Sequence, residues 1–310
     1  MISRMSASGN HVDPAALPAS RSLRALVDWS EAILDASNLT YGHGTDNPRD
    51  EAAWLVLAAL GLSPVDAAVD PDMRVDEPGC RAVRNLLVRR ITERRPVAYL
   101  TGRAWFAGLE FAVDERVLVP RSPLAEPIVD RFHPWIGQRP AARILEIGTG
   151  SGCIAIACAH AFPEAAVDAT DTDPDALDVA RDNVRRHDVA DRVRLHRADV
   201  YAGLPGGRHY DLIVSNPPYV DAPGMAALPA EYRHEPAHAL AAGHDGLDVA
   251  TRIVAGAAGR LSPDGLLALE VGRAAVALER RFPGIAFTWL TFAHGGDGVG
   301  VIGGDELAGH

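Results

Sequence analysis

Lysine is absent from this chain. All 30 basic side chains are Arg, which excludes chemistry that needs a lysine nucleophile, a Schiff base or a phosphate-loop ammonium. Cysteine is scarce. Cys80, Cys153 and Cys158 are too few for a disulfide framework and too widely spaced for a four-ligand zinc site. They read as buried thiols of a reducing compartment. Long apolar runs are missing too. The uncharged stretch 147–163 is short for a bilayer span and is broken by three glycines. Residues 1–20 lack the apolar core of a signal peptide. The expectation is a cytoplasmic protein without a membrane segment. Positive charge is outnumbered, with 41 acids giving a net charge of −11. The excess lies downstream: residues 1–140 hold 16 Arg against 18 acids, and 141–310 hold 14 against 23. Such a surface disfavours nonspecific binding to a phosphate backbone and suits a basic protein partner.

What is present is enough for a core: 310 residues, 47% of them hydrophobic. Residues 1–20, rich in Ser, Ala and Pro, read as a flexible N-terminus. From Arg21 the apolar positions Leu23, Leu26, Val27, Ile33 and Leu34 follow a helical period. A loop, Tyr41-Gly-His-Gly-Thr-Asp-Asn-Pro48, leads into a second helix through Trp54, Leu57 and Leu60. After a Pro/Asp-rich linker at 63–79, a third helix is expected from Cys80 to Arg94. Val83, Leu86, Leu87 and Ile91 form its apolar side, and Arg81, Arg84, Arg89 and Arg90 are expected to face solvent. Pro96 stops that helix. Val97-Ala-Tyr-Leu100 and Leu109-Glu-Phe-Ala-Val113 then predict a β-hairpin, and Val117-Leu-Val119 a further short strand. From Ala141 short apolar runs alternate with helical segments. That pattern predicts an open, largely parallel sheet with helices on both faces.

Three motifs in that second half carry chemistry. Arg143-Ile-Leu-Glu-Ile-Gly-Thr-Gly-Ser-Gly152 is a strand ending near Glu146, then a glycine loop opening a helix. The glycines permit a sharp turn and close ligand approach. The acid before the loop disfavours a pyrophosphate and suits a cationic ligand group. Asp171 ends the next strand, where nucleoside-binding α/β folds accept ribose hydroxyls. Asp173, before Pro174, reads as a helix cap. Asp199, after the third strand, could meet the amino group of an adenine or be merely structural. In Asp211-Leu-Ile-Val-Ser-Asn-Pro-Pro-Tyr219 a buried strand delivers Asn216 to the carboxyl edge of the sheet. Pro217 and Pro218 fix the backbone carbonyls, and Tyr219 adds a flat ring. The set suits a planar amide or an aromatic amine.

In that order the motifs resemble the S-adenosylmethionine-dependent methyltransferases. Asn-Pro-Pro-Tyr after the fourth strand resembles both the nucleic-acid adenine N6-methyltransferases and the protein glutamine N5-methyltransferases. The helical N-terminal part, the hairpin and Glu235-Pro-x-x-Ala-Leu-x-x-Gly-x-Asp-Gly246 are similar to the second family. Its release-factor branch typically carries Pro-Arg-Pro-x-Thr-Glu at the hairpin exit. This chain has Pro120-Arg-Ser-Pro-Leu-Ala-Glu126, departing at Ser122 and at Leu124-Ala125. Together with 41–48, 104–106, 113–116 and 231–236, this resembles the branch that modifies large-subunit ribosomal protein three.

The resemblance implies an α/β fold: a Rossmann-like, seven-stranded methyltransferase sheet over 123–310. Before it stand a helical substrate-recognition domain at 21–95 and a β-hairpin connector at 96–122. It implies S-adenosyl-L-methionine as cofactor, bound around Glu146, Gly148, Thr149, Gly150, Gly152, Asp171, Asp199 and Asn216, and no metal. Asn216, Pro217, Pro218 and Tyr219 are the implied catalytic group. The Asn216 side-chain oxygen and the Pro217 carbonyl accept the amide hydrogens, and Tyr219 packs on the amide plane. The implied partner is a basic ribosomal protein, free or in an assembly intermediate. The release factor is the alternative substrate. Adenine in nucleic acid and a non-catalytic assembly role are the more distant readings. His234 and Glu235 are general-base candidates only if the fold returns them to the site.

Overall fold

The computed structural model describes residues 17–63, 69–136, 141–293 and 295–308. Most of the flexible N-terminus expected at 1–20 and part of the 63–79 linker lie outside them. The chain divides into two compact units, Met1–Thr101 and Gly102–His310.

The first unit packs α1 (Leu23–Asp35), α2 (Pro48–Ala59), α3 (Glu77–Glu93) and the short α4 (Val97–Thr101). Their starts are encoded locally. Ser22, Asn47 and Asp76 each accept a backbone N–H of the first turn, and Pro48 occupies the N1 region of α2. Arg90 is fully buried rather than solvated. Its Nε donates to Glu51 at 2.7 Å and its Nη2 to the Thr40 carbonyl at 3.0 Å. The helical period explains this, because Arg90 follows the buried Val83 and Leu87 on one face. Burial pushes the Glu51 carboxyl above its ordinary value, while Arg90 pulls the other way. The pair pins the start of the 41–48 loop to the helices. Val97–Leu100, expected as a strand, is α4: the N–H groups of Tyr99 and Leu100 both return to the Pro96 carbonyl.

The second unit opens with an antiparallel hairpin, β1 (Arg103–Phe106) and β2 (Leu109–Ala112), turned by Ala107-Gly108. Both turn residues have positive φ, as a tight two-residue hairpin requires. Val117–Val119 is not a strand; the Val119 N–H goes to the Glu235 side chain instead. After α5 (Ala125–Val129) come β3 (Arg143–Ile147), α6 (Cys153–Ala161), β4 (Ala166–Asp171), α7 (Pro174–Arg186), β5 (Val193–Arg197) and β6 (Tyr210–Ser215). Then follow α8 (Ala222–Ala227), α9 (Asp248–Ala257), β7 (Leu261–Glu270), α10 (Ala275–Arg281), β8 (Thr288–Trp289), β9 (Val299–Gly303) and α11 (Gly304–Ala308).

The sheet has seven strands in the order β5-β4-β3-β6-β7-β9-β8. The strands from β5 across to β7 are parallel; β9 is antiparallel to β7, and the edge strand β8, antiparallel to β9, runs with the rest. The central strands are apolar almost throughout because helices cover both faces. β3 lies between β4 and β6, so chain order reverses there. Such a reversal opens a crevice at the carboxyl edge. All three cysteines are buried free thiols.

Candidate active site

The glycine loop is built on β3. Gly148 and Thr149 donate their N–H groups to the Thr170 carbonyl, at 2.9 and 2.8 Å. Gly148 and Gly150 have φ of +77° and +52°, and a Cβ on Gly150 would meet nothing within 4 Å. The backbone here faces open space rather than protein. Gly152 has a different task. A Cβ on it would lie 3.3 Å from the Ala180 side chain, so it lets the start of α6 approach α7. Glu146 is buried behind the loop. Its Oε2 accepts the Thr149 hydroxyl at 2.5 Å and the Ala155 N–H at 2.9 Å. Its Oε1 is buried with no hydrogen-bond partner. Burial pushes this carboxyl up to about 8, against the pull of those two hydrogen bonds.

In front of the loop lies a cleft of about 400 Å³, within the range of small-molecule sites. Gly148, Gly150, Asp171, Asp199, Asn216 and Pro218 all line it. Asp171 braces it: one carboxylate oxygen accepts the Gly150 N–H at 2.9 Å and the other the Asp173 N–H at 3.0 Å. Asp173 caps α7 through the Asp175 N–H and also meets His238 at 3.1 Å. Asp199 carries an ion pair to Arg252 at 2.7 Å, which draws its carboxyl below the usual range.

Asn216 follows β6 directly. Ser215 donates to the Ile147 carbonyl at 2.7 Å, locking the carboxyl ends of β6 and β3 together. The Asn216 amide makes no hydrogen bond to a described residue, and Asn216 lines the cleft. The tetrapeptide is held from outside by the Glu235–Gly246 motif. The Val220 N–H reaches the Leu240 carbonyl at 2.8 Å, and the Val220 carbonyl accepts the Ala242 N–H at 2.9 Å. A Cβ on Gly246 would sit 2.5 Å from the Tyr219 carbonyl oxygen. Tyr219 donates its hydroxyl to Glu270 at 3.1 Å.

Glu146, Thr149, Gly152, Pro217 and Tyr219 shape the site without lining the cleft itself. The general-base candidates are not there. Glu235 is buried in a two-pronged ion pair with Arg121, at 2.5 and 2.8 Å. His234 meets Glu115 near the surface at 3.1 Å. Arg116 and His238 also line the cleft and Glu270 holds Tyr219, although no sequence motif marks the three as site residues. Glu270 had a signal: like Glu146 and Asp171, it is an acid at or near the carboxyl end of a buried parallel strand.

A second cleft, about 710 Å³, is bordered by Arg121, Ser122, Glu126, Asp130 and Phe292. Among the described residues no cluster has the make-up of a metal site.

Residues 133–229 match the methyltransferase small domain, and 31–102 match the PrmC N-terminal domain. A ribosomal protein uL3 glutamine methyltransferase of Bordetella pertussis is 46% identical over 93% of this chain and 96% of its own length. One from Francisella tularensis is 42% identical, covering 92% and 91%. The chain belongs to the uL3 glutamine methyltransferase family. A solved methyltransferase from Pyrococcus furiosus is 22% identical, covers 63% of this chain and 88% of its own, and has a TM-score of 0.45. Members of the family are S-adenosylmethionine-dependent protein-glutamine methyltransferases, and so is this chain. The site fits that cofactor on its own chemistry. It offers an open glycine cradle and a carboxylate at the end of β4, both on the cleft.

Proposed function

We propose that this chain methylates the side-chain amide nitrogen of a glutamine in ribosomal protein uL3, the large-subunit protein three. The observation that carries the reading is the unpaired Asn216 amide at the carboxyl edge of β6, beside the glycine cradle. The cofactor residues are Gly148, Gly150 and Asp171, braced from behind by Glu146, Thr149 and Gly152. Asp171 takes the ribose hydroxyls. Asp199 stands at the adenine end, where its ion pair with Arg252 leaves one carboxylate oxygen for an amino group.

An amide nitrogen is a poor nucleophile, because its lone pair is delocalised into the carbonyl. Bound S-adenosylmethionine supplies a methyl group already activated on a sulfonium. The protein's task is therefore alignment. The Asn216 oxygen and the Pro217 carbonyl accept the two amide hydrogens and stabilise positive charge as it grows on nitrogen. Pro217 and Pro218 hold those acceptors at fixed angles. Tyr219 flanks the amide plane. With Glu235 held by Arg121, the spent proton passes to water.

The partner reading rests on family and charge. The second cleft carries Glu126 and Asp130 and suits a basic polypeptide, free or within an assembly intermediate. The acidic chain argues against an adenine substrate in nucleic acid. No helix among the described residues is long and apolar enough to cross a membrane, in keeping with a cytoplasmic site of action. The test is transfer of labelled methyl to purified unmethylated uL3, followed by hydrolysis and identification of the modified amino acid. N5-methylglutamine is expected. Label on another side chain would exclude the proposal.

A further inference from the structure

Glu270 ends β7 and is nearly inaccessible, 4% exposed. Each of its carboxylate oxygens takes one hydrogen bond: Oε1 from the Tyr219 hydroxyl at 3.1 Å, Oε2 from the Ser122 hydroxyl at 2.5 Å. Ser122 Oγ also accepts the Leu124 N–H at 3.1 Å, so the hydroxyl links Glu270 to the backbone of its own loop. Two residues on, Gly272 supports the ring of the same tyrosine. A Cβ there would lie 2.9 Å from Tyr219 Cε2. The sequence Glu270-Val-Gly272 thus holds Tyr219 by its hydroxyl and packs close to its ring. Ser122 in turn lines the second cleft. It is also the position at which this chain departs from the proline of the release-factor pattern.

We propose that Glu270 is a positioning residue for methyl transfer, its two oxygens tying Tyr219 to Ser122 so that the ring beside the target amide and the wall of the second cleft are set as one unit. This rests on the placement of Tyr219 at the amide plane. Glu270 does not line the cofactor cleft, so its effect belongs to the transfer step and not to cofactor affinity. A buried carboxylate with two donors is also costly to leave half satisfied. Glu270→Gln keeps one acceptor oxygen and turns an N–H toward the other donor.

The experiment is a double-mutant cycle on single-turnover methyl transfer to uL3, per mole of folded enzyme. Glu270→Gln and Tyr219→Phe should each slow transfer about tenfold or more. The double variant should be no slower than the worse single, because both changes cut the same link. The affinity for S-adenosylhomocysteine should stay within about twofold. Ser122→Ala should slow transfer and Ser122→Thr, which keeps the hydroxyl, should restore it. If Glu270→Gln does not fold, the cycle of Ser122→Ala with Tyr219→Phe carries the same test. Losses that multiply in the double variant, or wild-type transfer by Glu270→Gln or Ser122→Ala, would overturn the proposal. Failure of the substrate reading looks different: the wild-type enzyme itself would leave uL3 unmodified.

Discussion

The Gly150 N–H donates to the Asp171 carboxylate at 2.9 Å, joining the loop after β3 to the end of β4 across the floor of the cleft. One side chain therefore shapes the glycine loop and, on the proposed reading, presents charge to the cofactor. Asp171→Ala should weaken S-adenosylhomocysteine binding roughly tenfold to hundredfold, the usual range for a charged acceptor lost. Asp171→Asn, which keeps one acceptor oxygen, should lose less. Titration calorimetry measures both. Unchanged affinity in a folded Asp171→Ala protein would remove the residue from the cofactor site.

On the proposed reading Asn216 acts on the other reactant. Asn216→Ala should lower single-turnover transfer about 10²- to 10³-fold while cofactor affinity holds, since its acceptor faces the amide and the charge that develops on it. A variant that transfers at the wild-type rate would refute the role.

Glu146 gives a pH signature. Burial holds its carboxyl at about 8 in the folded protein, against an ordinary value of 4.5. The fold keeps a proton that the unfolded chain releases. Its contribution to stability is complete below the ordinary carboxylate value, falls as pH rises, and is gone once pH passes about 8. Glu146→Gln mimics the protonated form and removes this slope. Between pH 6 and 9 the ligand-free wild type should lose more Tm than the variant, on the order of several degrees. Parallel melting curves would contradict the assignment.

Much of the site was legible because its side chains stand at or near the ends of apolar strands. Glu146, Asp171 and Asn216 each follow or close a buried run, and the glycine loop announces itself by composition. The helix at 97–101 was not. An apolar run of four has no period long enough to separate helix from strand, and only Pro96 hinted at a helix start. Arg90 was legible in principle from its spacing with Val83 and Leu87, although its charge argued for solvent. The Glu235–Arg121 and Glu270–Ser122 pairs join residues more than a hundred positions apart. Such pairings follow from the packed sheet and leave no local pattern. That is why Val117–Val119 reads as a strand in the sequence and is irregular in the fold.

The outer support of the tetrapeptide makes a stability prediction. Gly246 has φ +78°, and a Cβ there would press on the Tyr219 carbonyl. Gly246→Ala should destabilise by about 1–3 kcal/mol, through backbone strain and overpacking together. It should also lower transfer in the fraction that remains folded. Denaturant melts with a parallel rate assay check it; a variant as stable and as active as wild type would contradict the packing argument.

The choice of substrate is open to a competition experiment. The chain's excess of acids predicts that KM for a basic ribosomal protein rises with salt. Unmethylated uL3 and unmethylated release factor, offered together at low salt, should be resolved by mass spectrometry of their glutamine-containing peptides. One added methyl on a uL3 glutamine and an unmodified release factor are expected. Methyl on the release factor with none on uL3 would contradict that choice.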